Sequence, residues 1–189
     1  MNNIKLFDLK KQYKKISPYV KSRINKVLES GQYIMGPNVT NFENKFRKEM
    51  GSKYAISCNS GTDALLLSLR ALGIGQGDEV ITTAFTYFAT AEAILLCGAK
   101  PIFVDIDPNT YNIDEVLVEK KITRKTKAIM PVHIFGQPAR VDVIKKICRK
   151  NKLSLIEDCA QSYGAKINGK NAGTFGDFGC FSFFPPKNL

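Results

Sequence analysis

The chain has 189 residues, 44% hydrophobic and 24% charged, the make-up of an ordinary globular protein with room for a substantial core. No apolar run approaches the roughly 20 residues that span a bilayer, and the polar opening Met1-Asn2-Asn3-Ile4-Lys5 lacks a signal-peptide pattern, so a cytoplasmic, non-membrane protein is expected. Lysine and arginine outnumber acidic residues 28 to 17, a net charge of +11 that suits anionic partners without choosing among them.

Residues 1–50 read as a helical segment packed on a main domain that spans residues 51–189. Ile16, Val20, Ile24, Val27 and Leu28 recur at helical spacing, with Ser17-Pro18 as the start signal. Gly31 and Gly36-Pro37 then break the chain around Gln32-Tyr33-Ile34-Met35. A second amphipathic helix over residues 39–50 carries Phe42 and Phe46 on one face. From Tyr54 onward strands alternate with helices. Strands are predicted at 54–58, 79–83, 101–105, 128–132, 153–157 and 178–184. Helices are predicted at 64–72, after residue 83 to about 96, at 114–121 and at 141–151. Lys166-Ile167-Asn168-Gly169-Lys170 reads as a hairpin with an Asn-Gly turn. Strands and helices alternating at this spacing predict an α/β fold with a doubly wound, mostly parallel sheet.

The densest basic group, Lys145, Lys146, Arg149, Lys150 and Lys152, lies on one predicted helix and reads as a solvated face, so nucleic acid is not expected as a partner. Cys58, Cys97, Cys148, Cys159 and Cys180 are scattered without a CxxC pair and read as small buried hydrophobes of a reduced protein. His133 is the only histidine, which excludes a histidine-rich metal site within this chain, and no metal is expected.

Four places could carry chemistry. Ser60-Gly61-Thr62-Asp63 follows a strand and opens a helix, where free backbone donors, hydroxyls and a glycine suit a phosphate. Ser60 with Asp63 is equally a plain helix cap. Phe85-Thr86-Tyr87-Phe88-Ala89-Thr90 offers aromatics past a strand's carboxyl end, to stack on a flat ring or to fill core. Asp158 ends an apolar run and needs a partner, which could be a protonated ring nitrogen, a helix amide or an internal cation. Finally, Ser182-Phe183-Phe184-Pro185-Pro186 ends a strand at two prolines, and Lys187 follows beside apolar bulk. A lysine there can act as a nucleophile toward a carbonyl, or be an ordinary surface residue. Taken jointly, these are the partners that pyridoxal 5′-phosphate (PLP) needs: an anion site, a π-face contact, an anion at the ring nitrogen and a Schiff-base lysine.

The chain resembles the DegT/DnrJ/StrS-type nucleotide-sugar aminotransferases, PLP enzymes of fold type I. The resemblance rests on Ser30-Gly31-Gln32-Tyr33-Ile34-Met35-Gly36-Pro37, Asn59-Ser60-Gly61-Thr62-Asp63, Thr86-Tyr87-Phe88-Ala89-Thr90, Phe103-Val104-Asp105, Glu157-Asp158-Cys159-Ala160-Gln161 and Ser182-Phe183-Phe184-Pro185-Pro186-Lys187, and it runs from Leu6 to Leu189. It implies that Lys187 is the Schiff-base lysine and Asp158 the partner of the ring nitrogen. Gln161 would pack on the cofactor ring, Tyr87 would stack on it, and Gly61, Thr62 and Ser182 would hold its phosphate. Gly31 and Tyr33 match a loop that contacts the nucleotide-sugar in some members. Related sugar dehydratases carry histidine in place of Lys187, so the lysine favours transamination. Pro186 departs from the Ser or Gly that many relatives have there, which would remove a substrate contact. The resemblance further implies amino transfer from glutamate or a similar amino acid to a keto group of a nucleotide-sugar. UDP-2-acetamido-2-deoxy-3-oxoglucuronate leads as acceptor, followed by dTDP-oxo-deoxyhexoses, with the product bound for surface polysaccharide or O-antigen. A PLP-dependent sugar dehydratase and a non-catalytic binding or regulatory protein of the same fold are the alternatives. Family members are homodimers of longer chains, so this sequence is expected to be an N-terminal part that lacks the small C-terminal domain.

Overall fold

The computed structural model describes residues 8–187. The polar opening at residues 1–5 and the ends of the resemblance at Leu6 and Leu189 lie outside the described residues. The chain divides into two compact units that part between Ser57 and Cys58.

The first unit holds α1 (Leu9–Ser30) and α2 (Pro37–Met50). The predicted start at Ser17-Pro18 is corrected: Pro18 lies inside α1, which begins where the Asp8 side chain accepts the Lys11 N–H at 3.0 Å. An N-cap ten residues upstream offsets the missing proline donor, because it satisfies an otherwise orphaned amide of the first turn. Gly31 ends α1 in the left-handed conformation (φ 66°), and its N–H donates to Leu28 O. Pro37 opens α2, where its missing N–H costs nothing, and Phe42 stacks on Phe46 with centroids 5.8 Å apart. No described residue of α1 is buried. The strand predicted at residues 54–58 does not form. Tyr54 and Ile56 are 69% and 84% exposed, and the Ser57 N–H is bound instead by Glu43 Oε1 at 2.7 Å. An apolar run becomes a strand only where a neighbour can take its backbone hydrogen bonds.

The second unit runs α3 (Gly61–Ala71), β1 (Glu79–Thr83), α4 (Ala89–Leu96), β2 (Lys100–Val104), α5 (Glu115–Lys120), β3 (Thr126–Ile129), α6 (Val141–Asn151), β4 (Ser154–Asp158), the hairpin β5 (Lys166–Ile167) and β6 (Lys170–Asn171), and β7 (Phe178–Cys180). The main sheet is ordered β2-β1-β3-β4-β7 and every pairing in it is parallel. Both faces are covered, so successive strand residues are buried in turn. Val80, Ala128, Met130 and Ile156 meet Leu65, Leu69 and Ile94 of α3 and α4. Ile81, Ile129 and Leu155 meet Val118, Ile144 and Ile147 of α5 and α6. That is the double winding expected of strands that read as continuous apolar runs. Each of the Val, Leu, Ile and Met side chains among them contributes about 1.5–3 kcal/mol on burial.

Strand order reverses between β1 and β3, and a crevice at the carboxyl ends of adjacent strands opens at such a reversal. Asn168 and Gly169 both have positive φ (49° and 78°), the two-residue turn predicted for the hairpin. The last strand is shorter than the predicted 178–184. It pairs Phe178, Gly179 and Cys180 with Ile156, Glu157 and Asp158, and it stops where β4 stops. The partner's length ends the strand, not the prolines at 185 and 186. The freed residues 181–187 bend past the end of β4, and the Lys187 N–H closes a turn onto Phe184 O at 2.8 Å.

Candidate active site

Asp158 is the last residue of β4 and is 4% exposed. Its Oδ2 accepts from Thr90 Oγ1 at 2.8 Å and its Oδ1 from the Ala160 N–H at 3.1 Å. Burial pushes the carboxyl above its ordinary value, opposed by the Ala160 N–H, the Thr90 hydroxyl and the charge of Lys187. No ion pair within 4.0 Å reaches Asp158 among the described residues. A buried carboxylate held only by neutral donors retains acceptor capacity and favours an added cation.

Glu157, one residue earlier, points the other way along the pleat and meets a different fate. Its Oε1 accepts from the N–H groups of Phe175 (2.7 Å) and Gly176 (2.8 Å), its Oε2 from the Gly173 N–H (2.8 Å) and His133 Nε2 (3.0 Å). Burial pushes this carboxyl up, but the His133 hydrogen bond and the loop N–H donors outweigh it and hold Glu157 below its ordinary value. His133 Nδ1 accepts the Ala139 N–H at 3.0 Å, so that nitrogen carries no proton and Nε2–H donates to Glu157. Cys159 also lies close, and ligand atoms of His133, Glu157 and Cys159 fall within 4.8 Å of one another. The imidazole lone pair is already engaged by Ala139, so this cluster is a structural brace of the 173–176 loop.

Of the other predicted residues, Gln161, Tyr87 and Lys187 have ties to Asp158 or its neighbours, Gly61 and Ser182 meet each other, and Gly31 and Tyr33 lie in the first unit. Gln161 follows the turn that Ala160 anchors, and its Oε1 accepts the Phe135 N–H at 3.1 Å. Tyr87, 73% exposed, lies in the segment between β1 and α4. That segment is tied to the carboxylate, because Thr86 Oγ1 lies 2.8 Å from Thr90 Oγ1. Lys187 is half-buried at the end of the bent segment, near enough for its charge to act on Asp158. Gly61 faces Ser182. A Cβ on Gly61 would sit 2.9 Å from Ser182 Cβ, so only glycine permits this approach. Ser60 caps α3 in both directions, accepting the Asp63 N–H and donating to Asp63 Oδ2. The predicted cap is therefore real, and the amides of Gly61 and Thr62 head the helix beside Ser182. Gly31 and Tyr33 lie in the first unit, where they line a cleft with Ile34, Met35 and Thr40. The Tyr33 hydroxyl donates to Leu28 O at 3.3 Å.

Sequence reading named Thr90, Thr86 and His133 but gave none of them a role in the site. The two threonines, four apart at the start of a helix that follows a strand's carboxyl end, were the available signal. Nothing in the sequence marked the His133–Glu157 pair, which forms across 24 residues.

A buried anion at one strand end, a helix N-terminal turn whose Gly61 leaves no room for a Cβ beside Ser182, and a half-buried lysine whose charge acts on that anion fit a flat, phosphate-bearing, protonatable ring. Residues 15–189 match the DegT/DnrJ/EryC1/StrS aminotransferase family. The UDP-2-acetamido-2-deoxy-3-oxo-D-glucuronate aminotransferase of Pseudomonas aeruginosa is 50% identical over 98% of this chain, which covers 52% of that protein. The crystal structure of S. venezuelae DesV in complex with a ketimine intermediate superposes with a TM-score of 0.97 at 39% identity, over 100% of this chain and 51% of DesV. NtdA from Bacillus subtilis with bound cofactor PMP gives a TM-score of 0.78 at 39% identity, over 82% of this chain and 35% of that one. The chain thus spans about half the length of the relatives it matches. On the match of its own residues 15–189, the chain belongs to the DegT/DnrJ/EryC1/StrS aminotransferase family.

Proposed function

We propose that the protein is the cofactor-binding part of a PLP-dependent aminotransferase that moves an amino group from glutamate, or a similar amino acid, to a keto group on a nucleotide-sugar. The observation that carries this reading is the buried Asp158 carboxylate, held by Thr90 and Ala160 with acceptor capacity to spare. When bound, PLP supplies an electron sink that stabilises a carbanion next to nitrogen. Asp158 keeps the ring nitrogen protonated, which that sink requires. The Lys187 amine holds the cofactor and carries a proton to and from the reacting carbon. The amides of Gly61 and Thr62, with the Ser182 hydroxyl, bind the phosphate. Tyr87 and Gln161 pack on the ring, while Gly31 and Tyr33 contact the nucleotide-sugar. Residues 51–189 act as the cofactor-binding domain. Residues 1–50 form a separate helical segment. The full-length protein works as a cytoplasmic homodimer without a metal. UDP-2-acetamido-2-deoxy-3-oxoglucuronate is the first acceptor to test, and a surface polysaccharide or O-antigen is the destination of the amino sugar.

Full-length protein loaded with PLP should show a visible band near ~420 nm that a Lys187→Ala variant lacks. Borohydride treatment should fix the pyridoxyl group on Lys187, read by peptide mass mapping. A label on another residue would sink the assignment. Mixing with glutamate should release 2-oxoglutarate, and failure with every amino donor would favour a dehydratase.

A further inference from the structure

Asp158 ends a chain of hydroxyls. Thr90 Oγ1 lies 2.8 Å from Asp158 Oδ2, and Thr86 Oγ1 lies 2.8 Å from Thr90 Oγ1. An ionised carboxylate only accepts, and a hydroxyl has one proton to give. Thr90 therefore donates to Asp158 and accepts from Thr86, which fixes the direction of both bonds. Thr90 is 1% exposed and Asp158 4%, so bulk water does not stand in for either donor.

Two facts set Thr90 apart from an ordinary buried threonine. In the first turn of a helix a threonine hydroxyl usually bonds a backbone group three or four residues away, and that would satisfy it here. Instead it reaches a carboxylate 68 residues distant. The two oxygens of Asp158 are also held from different elements, Oδ2 by the start of α4 and Oδ1 by the Ala160 amide after β4. Held at both oxygens, the carboxylate cannot turn about its own axis, and its remaining lone pairs keep one heading.

We propose that Thr90, backed by Thr86, is a positioning residue that holds Asp158 ionised and aimed at the ring nitrogen of the bound cofactor. This rests on the PLP reading above, and it concerns one atom of that cofactor. The test is therefore a comparison of two rings: PLP, and its 1-deaza analogue, in which carbon replaces the ring nitrogen. Full-length wild type, Thr90→Val, Thr90→Ser and Thr86→Val are titrated with each. Thr90→Val should lose about tenfold to a hundredfold in PLP affinity, the worth of one hydrogen bond to a charged group. Its affinity for the deaza ring should stay within about threefold, a change too small for a lost charged hydrogen bond. Thr90→Ser should restore PLP binding, and Thr86→Val should show a smaller loss confined to PLP. Equal losses for both rings would make Thr90 mere packing and overturn the proposal, as would an unchanged PLP affinity. Should Thr90→Val not fold, judged by the melting transition of the apo protein, the PLP-only loss in Thr86→Val decides the matter. Wild type that takes up neither ring overturns the PLP reading itself, an outcome distinct from uptake with equal losses.

Discussion

Adjacent carboxyls at the end of β4 face opposite ways and hold opposite protonation tendencies. Glu157 is held below its ordinary value of 4.5. Its contribution to stability is thus fully present above that value and is lost as pH falls through the lower folded value. Asp158 is pushed above its ordinary 3.8, so ionisation weakens the fold and the penalty fades as pH falls through the raised value. Two outcomes are expected. Glu157→Gln leaves a buried amide among four donors and should lower stability by about 2–3 kcal/mol, read by chemical denaturation near pH 7. Asp158→Asn should leave the apo protein at least as stable as wild type at neutral pH while abolishing PLP uptake. A loss of stability in Asp158→Asn comparable to that in Glu157→Gln would show that Asp158 serves the fold and not the cofactor.

At the scale of elements, close backbone approaches shape the site. Gly179 in β7 lies against the backbone of Gly173, in the loop that Glu157 braces, and a Cβ there would collide with the Gly173 carbonyl. Gly61→Ala places a methyl 2.9 Å from Ser182 Cβ and should cost about 1–3 kcal/mol by overpacking, read as a lower melting temperature. The same change should weaken PLP binding, because the segment bearing Ser182 must move away from α3. Pro18 inside α1 makes the reverse case. Pro18→Ala restores one helical donor and should stabilise α1 by up to about 3 kcal/mol, checked by far-UV circular dichroism during denaturation. The helix start, the failed strand at 54–58 and the shortened β7 were illegible locally for one shared reason. Caps and strand partners decide where elements stop, and Asp8, Glu43 and β4 supply them here.

For the whole molecule, the charge of +11 is spread over the surface, with part of the basic face of α6 paired. Lys150 Nζ meets Glu119 Oε1 at 2.6 Å, joining α6 to α5 as an exposed ion pair worth at most about 1 kcal/mol. On the proposed function, the basic charge of this chain should speed capture of the anionic nucleotide-sugar. Raising ionic strength from about 0.05 M to 0.5 M should therefore raise KM severalfold with little change in kcat. An unchanged KM would remove surface charge from substrate capture.

By itself the sequence determined the α/β class and the double winding. Those follow from local pattern: apolar runs buried on both faces, caps such as Ser60 and Asp114, and turns such as Asn168-Gly169. Motifs in family order likewise singled out Lys187, Asp158 and Gln161. Only the tertiary structure decided how Asp158 is held, because its donor Thr90 lies 68 residues away and its orientation depends on which helix start meets which strand end. The same long-range pairing separated Glu157 from Asp158. Their neighbours in sequence are nearly identical, but the pleat turns one toward the 173–176 loop and His133 and the other toward α4.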